Sequence, residues 1–305
     1  MSSGVRQSTD ITEQVRARIP MPARRRLARW RVAARRPSSA LRSLPDVLII
    51  GAQRCGTSSL YKYLGQHPAV SPSIRKEVEY FSTRYTEGLS WYRSHFPLRR
   101  PSSMNPPLTF EATPDYMLHP LAAERAFALV PNARVIALVR NPVSRAYSQY
   151  QHNLRLGHEP LSFDEALEAE ESRIDGEVER LKSDPAYQAR SLRRHGYAER
   201  GKYDEQLSPW LERFPTDRLH IVKSEDFFSA PEAAFHQILR FLDLAPFQPA
   251  EFHNYSQPVK TAPAPDAPPV ASPKASEASR TRLRQVFEPH VSRLEQLLDR
   301  DFGWR

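Results

Sequence analysis

A single cysteine, Cys55, is present in 305 residues, so no internal disulfide can form and a reducing cytoplasm is the expected setting. No run of about 18 apolar residues occurs, so no membrane-spanning helix is expected, and the N-terminus lacks the apolar stretch of a secretory signal. The ten histidines have no close metal-ligand spacing and no cysteine cluster accompanies them, so no metal site is expected. Internal repeats of 20–50 residues are absent as well. Lysine is missing from residues 1–45, which hold eleven arginines against Asp10 and Glu13, a charge of +9. The remaining 260 residues carry 33 basic and 33 acidic side chains, so the net charge of the chain sits entirely in this basic arm.

What is present is enough apolar material, 40% of the residues, for one large α/β domain. The expected organisation is a basic, disordered arm over residues 1–44 and one domain over 45–305. Within the arm, "RIPMPARRRLARWRVAARR" places Leu27, Trp30 and several alanines among arginines after Pro20 and Pro22. A short amphipathic helix there could rest on a membrane or another acidic surface; a solvated tail is the plainer reading.

From Asp46 the pattern becomes regular. "DVLII" has strand length, and Thr57 to Gln66 reads as a helix that stops near His67-Pro68. "ARVIALV", Ala133 to Val139, is a second buried strand, followed by Pro142 in the first turn of a helix running to about Arg155. "RLHIVK" is a third strand, with helical segments over about 162–182, 203–213, 231–242 and 280–300. Strands alternating with helices predict a P-loop-type parallel sheet flanked by helices on both faces, with ligands beyond the carboxyl ends of the strands. Residues 257–279 hold six prolines and few large apolar side chains, and are expected to be an excursion before the last helix.

The loop "IIGAQRCGTSS", Ile49 to Ser59, fits G-x-x-x-x-G-K-[ST] at Gly51 and Gly56, but Thr57 stands where the lysine belongs. In a nucleoside triphosphatase that lysine and a Mg²⁺ held partly by an acidic strand end neutralise the terminal phosphates. Here the strand "VIALV" ends in Arg140, which repels Mg²⁺, attracts oxyanions and cannot lose its charge. Both departures point to a nucleotide with an extra phosphate, handled without a triphosphate–metal complex.

"PDVLIIGAQRCGTSSLYKYLGQHP" and "RVIALVRNPVSRAYSQYQH" resemble the 5′-phosphosulfate loop and the 3′-phosphate motif of sulfotransferases that use 3′-phosphoadenosine 5′-phosphosulfate (PAPS). The resemblance is to the branch with heparan sulfate N- and O-sulfotransferases and related bacterial enzymes. "KEVEYF" is similar to the segment bearing the catalytic glutamate, and "RGKYDEQLSPWLERFP" to a further block near the cofactor, to which Tyr203 belongs. The resemblance implies that Gln53, Arg54, Cys55, Gly56, Thr57, Ser58 and Ser59 cradle the 5′-phosphosulfate, as suits a helix N-terminus. It implies that Arg140 and Ser148 hold the 3′-phosphate, that Arg54 stands where relatives have a lysine steadying the leaving phosphate, and that Tyr203 adjoins the cofactor. Cys55 also reads simply as a small loop filler.

The same resemblance gives Glu77 as general base, with Lys76 beside it. Glu79 is the second choice, because in an extended segment Glu77 and Glu79 project to the same side; either could be ordinary surface charge paired to Lys76 or Arg75. Ala112 replaces a lysine found in relatives acting on heparan chains, and "YSQPVKTAPAP" offers only Lys260 where they have a basic closing loop. The expected acceptor is therefore a hydroxyl, in preference to an amine, of a carbohydrate, glycolipid or secondary metabolite, with PAPS as co-substrate and neither metal nor nucleic acid. The alternatives are a P-loop nucleotide kinase and a non-catalytic nucleotide or polyanion binder.

Overall fold

A computed structural model describes residues 21–99, 106–253, 255 and 275–304, with the backbone alone for 21–25. Five strands form one parallel sheet: β1 (Val47–Gly51), β2 (Val70–Pro72), β3 (Leu108–Ala112), β4 (Arg134–Val139) and β5 (Leu219–Lys223), in the order β2-β3-β1-β4-β5. β1 is buried along its whole length and β4 from Val135 onward, as expected of central parallel strands covered on both faces. Helices α1 (Met21–Arg35), α2 (Thr57–Leu64), α3 (Ala122–Leu129), α4 (Pro142–Arg155), α5 (Tyr203–Leu211), α6 (Pro231–Phe241) and α7 (Glu277–Leu298) are the main ones. The α/β class and the parallel sheet agree with the sequence pattern.

Four features differ from expectation. β2 and β3 have no counterpart in the sequence reading, because β2 is three residues long and β3, "LTFEA", carries a carboxylate at its fourth position. That carboxylate, Glu111, is fully buried and accepts from Tyr92 Oη (2.5 Å), Tyr116 Oη (2.9 Å) and Thr113 Oγ1 (2.9 Å). The helix expected over 162–182 is three short helices, Phe163–Glu168, Glu170–Ile174 and Glu177–Ser183, the last preceded by Gly176 at φ 68°.

The excursion expected over 257–279 falls outside the described residues up to 274. Its last residues instead start α7, where Ser276 caps the Ser279 N–H (3.0 Å) and both hydroxyls donate to Asp164. Residues 1–20 of the arm are likewise outside the described residues, but 21–41 are helical, and Val32 and Arg42 are buried. Arg42 donates to the Phe96 carbonyl (3.0 Å) and Ser38 Oγ (2.9 Å), and it bridges to Leu98. A charge count cannot reveal such a seat, since fixed carbonyls satisfy a guanidinium as well as water does.

Candidate active site

Register brings together the two motifs that follow β1 and β4. Gly51 at the end of β1 pairs with Ala137 of β4, and the Ala52 N–H donates to the Leu138 carbonyl (2.6 Å). Arg140 therefore leaves the sheet beside the loop that leads from β1 into α2. Gly56 holds φ 104° as the N-cap of α2, with no side-chain cap on the first turn, so its leading N–H groups are available to an anion. A Cβ on Gly51 would come within 2.7 Å of Met117 Cβ, and one on Gly56 within 3.0 Å of Phe228 Cζ. Packing thus demands glycine at both positions.

Asn141 caps α4 by accepting from the Ser144 N–H (3.1 Å), and Pro142 takes the first turn. This start sets the phase that turns Ser148 back toward β1, where Arg54 Nε donates to Ser148 Oγ at 3.1 Å across 94 residues. Arg140, Arg145 and Arg155 lie close enough to oppose the charge of Arg54, and burial first, then Arg155 and Arg140, push its guanidinium down to about 10. Repulsion of that kind is relieved by a bound anion. Arg140 itself has no side-chain partner among the described residues.

Tyr203 is buried, and its hydroxyl donates to the Arg140 carbonyl (2.9 Å) while lying 3.8 Å from Cys55 Sγ. It ties the two loops from beneath. Cys55 is buried as well, and desolvation raises its thiol to about 11, in keeping with its reading as a filler. Thr57 and Ser59 are buried and Ser58 half-buried; Ser59 Oγ accepts from the Tyr255 N–H (3.1 Å). Gln53 Oε1 is buried with no hydrogen-bond partner, an acceptor left open at the mouth of the loop.

Beside Gln53 lies a cavity of about 280 Å³ whose walls include Glu77, Asp115, His152 and Arg193. Glu77 is about half exposed, and Lys76 Nζ approaches its Oε1 at 2.6 Å. The segment is not extended: Glu77 and Glu79 have φ of 61° and 64°, so the expected projection to one side does not hold. Glu77 faces the cavity, whereas Glu79 is engaged by Arg193 and, at 3.9 Å, by Arg84. Arg193 also donates to Asp115 Oδ2 (2.6 Å), with Arg200 on Oδ1 (2.7 Å). Burial would raise the Asp115 carboxyl, but Arg200 and Arg193 hold it down at about 2.

The sequence reading missed His152. It lies one helical turn beyond Ser148 on α4, and the spacing of four is the signal that could have found it. Burial first, then Arg54 and Arg155, hold its imidazole down at about 4, while Glu77 pulls the other way. It is therefore neutral at pH 7, between the cation cluster and Glu77. The reading also missed that Asp204, Glu205 and His290 converge closely enough to hold a metal ion, since 85 residues separate the last from its partners. Both oxygens of Asp204 are already engaged, by His290 Nδ1 (2.8 Å) and Arg293 Nε (2.6 Å).

The model of the sulfotransferase domain family matches residues 44–267. The chain is 28% identical to the membrane-associated sulfotransferase kil1 of Dictyostelium discoideum, over 86% of this chain and 67% of that one. It is 32% identical to the human bifunctional heparan sulfate N-deacetylase/N-sulfotransferase 2, over 67% of this chain and only 22% of that protein, so it spans about a fifth of that relative's length. A crystal structure of a sulfotransferase from Alicyclobacillus acidocaldarius superposes with a TM-score of 0.64 at 28% identity, covering 86% of this chain and 99% of that one.

Proposed function

The chain belongs to the sulfotransferase domain family, and from that premise we propose that it moves the sulfuryl group of PAPS to a hydroxyl of a carbohydrate, glycolipid or secondary-metabolite acceptor, with Glu77 as general base. The observation that carries the cofactor assignment is the contact of Arg54 with Ser148 inside a cluster of arginines. One end of the carrier is assigned to the loop from Gln53 to Ser59 and the other to Arg140 and Ser148. The uncapped start of α2 and the mutually repelling guanidiniums both suit an anionic ligand. A kinase would need an acid for Mg²⁺ where Arg140 stands.

PAPS, when bound, supplies the activated sulfuryl group and leaves as adenosine 3′,5′-bisphosphate. Glu77 accepts the proton of the attacking hydroxyl, and Lys76 Nζ donates to its Oε1 at 2.6 Å. Arg54 offers fixed positive charge to a developing phosphate oxygen, the kind of preorganised electrostatics that dominates such transfers. His152, neutral, orients the acceptor hydroxyl between the two. Tyr203 is a positioning residue, acting through the Arg140 carbonyl.

The arm is assigned to an acidic surface, a membrane included. Val32 turns inward on α1 while Leu27 and Trp30 are 54% and 75% exposed, with Arg26, Arg29 and Arg31 exposed around them. A cytoplasmic setting rests on the lone cysteine.

Calorimetry with adenosine 3′,5′-bisphosphate, followed by radiolabelled PAPS with an acceptor panel, tests the function. Binding of the bisphosphate without Mg²⁺ is expected. Tight Mg²⁺-dependent binding and turnover of ATP, with none of the bisphosphate, would overturn the reading.

A further inference from the structure

A second cavity, of about 440 Å³, lies between α1 and the chain from Arg75 to His95, within the size range of small-molecule sites. Arg29, Arg36, Arg75 and Arg84 line it against one acid, Glu87. Little within the protein absorbs that charge. Arg84 pairs with Glu87 at 3.2 Å, Arg36 reaches only the Glu87 carbonyl at 3.4 Å, and Arg75 donates to the Glu77 carbonyl at 2.7 Å. No hydrogen bond or ion pair of Arg29 occurs among the described residues.

A second feature sharpens the chemistry. His95, in the same wall, is fully buried, with Nδ1 3.0 Å from the Trp91 carbonyl and 3.3 Å from that of Tyr92. Carbonyls only accept, so Nδ1 carries the hydrogen. Burial first, with Arg75 and Arg35 adding, holds the ring down at about 4, so it is neutral and Nε2 is a bare acceptor. That Nε2 is buried without a hydrogen-bond partner; Arg84 Nε has none either, and its nearest charge is Glu79 Oε2 at 3.9 Å. A simple anion would answer the arginines but has no hydrogen to give Nε2. A neutral polyol would answer Nε2 and leave the excess positive charge.

We propose that this cavity is a second binding site, for an acidic group carried on a polyol, such as a uronate or a glycerol phosphate unit, with the acid held by the arginines and a hydroxyl donating to His95 Nε2. The cavity adjoins the site already described. Arg75 holds the backbone of Glu77, and Arg84 reaches Glu79, whose other oxygen takes Arg193; Glu77 and Arg193 both line the smaller cavity. Resting on the sulfotransferase reading, the occupant is then the acidic portion of an acceptor whose hydroxyl is presented across the segment from Arg75 to Glu79.

The test is calorimetry on the full chain with glucuronate, glycerol 1-phosphate and glucose, each with and without saturating adenosine 3′,5′-bisphosphate. At least one acid is expected to bind tenfold or more tightly than glucose, and the tighter of the two separates a glycan source from a lipid headgroup. The double variant Arg29→Ser, Arg36→Ser changes only exposed side chains and is expected to erase that preference while leaving bisphosphate affinity and the melting temperature unchanged. Equal binding of all three probes, or a preference that survives in the double variant, overturns the proposal. If the bisphosphate binds and the acids do not, the second site alone falls. If the acids bind and the bisphosphate does not, the site stands and the sulfotransferase assignment falls.

Discussion

At the scale of single residues, two glutamates two positions apart have different surroundings. Glu77 faces the cavity with Lys76 at 2.6 Å, whereas Glu79 is engaged by Arg193 and Arg84. Glu77→Gln is expected to leave adenosine 3′,5′-bisphosphate affinity intact and to lower kcat by about 10²–10⁴, the usual worth of a positioned base. Glu79→Gln removes a partner from Arg193 and is expected to lower the melting temperature with a smaller loss of kcat. Steady-state kinetics with calorimetry separates the two, and an active Glu77→Gln enzyme would remove Glu77 from the role. Cys55 offers a pH test. Its thiol is raised from 9.0 to about 11 by burial, so at pH 8 the folded protein holds roughly a hundredth of the thiolate of an unfolded chain. Alkylation by iodoacetamide should be slower by at least that factor until denaturant is added.

At the scale of elements, legibility followed burial chemistry. β1 and β4 announced themselves as unbroken apolar runs, and the loops after them could be located because glycine and arginine stood at strand ends. β3 stayed hidden because Glu111 interrupts its apolar pattern, and only three hydroxyls from elsewhere in the chain make that carboxyl tolerable inside. His152 was hidden for a related reason: its neutrality comes from the fold around it. Glu111 gives the third prediction. Desolvation raises its folded value from 4.5 to about 7, so between those values the folded state keeps a proton that the unfolded chain has lost. Its contribution to stability therefore falls as pH rises from about 4.5 to 7 and is level above that, by a few kcal/mol at roughly 1.4 per unit. Urea unfolding at pH 5 and pH 8 should show Glu111→Gln gaining on the parent protein across that interval. Gly56 gives the fourth. At φ 104°, with Phe228 3.0 Å from any added Cβ, Gly56→Ala strains the loop and is expected to cost about 1–3 kcal/mol and to weaken bisphosphate binding at least tenfold by calorimetry.

At the scale of the whole molecule, the charge of the chain is segregated, +9 on residues 1–45 and balance thereafter. No described helix is long and apolar enough to cross a membrane. A removal of the arm at residue 44 would be a poor test, because it also deletes Arg42 and its hydrogen bonds to Phe96 and Ser38. Substitution on the outer face of α1 avoids that damage. Leu27 and Trp30 are three residues apart and exposed, with the buried Val32 directed into the domain. Arginines near an anionic lipid surface contribute about 1 kcal/mol each, and an interfacial tryptophan adds apolar burial. The full chain should therefore co-sediment with vesicles containing phosphatidylglycerol but not with pure phosphatidylcholine, and the association should weaken as salt shortens the screening length. The double variant Leu27→Glu, Trp30→Glu should lose the association while keeping its melting temperature and bisphosphate affinity. Binding that survives in that variant, or that transfers unchanged to a nucleic acid, would show that charge alone is at work and that the exposed apolar face has no part in it.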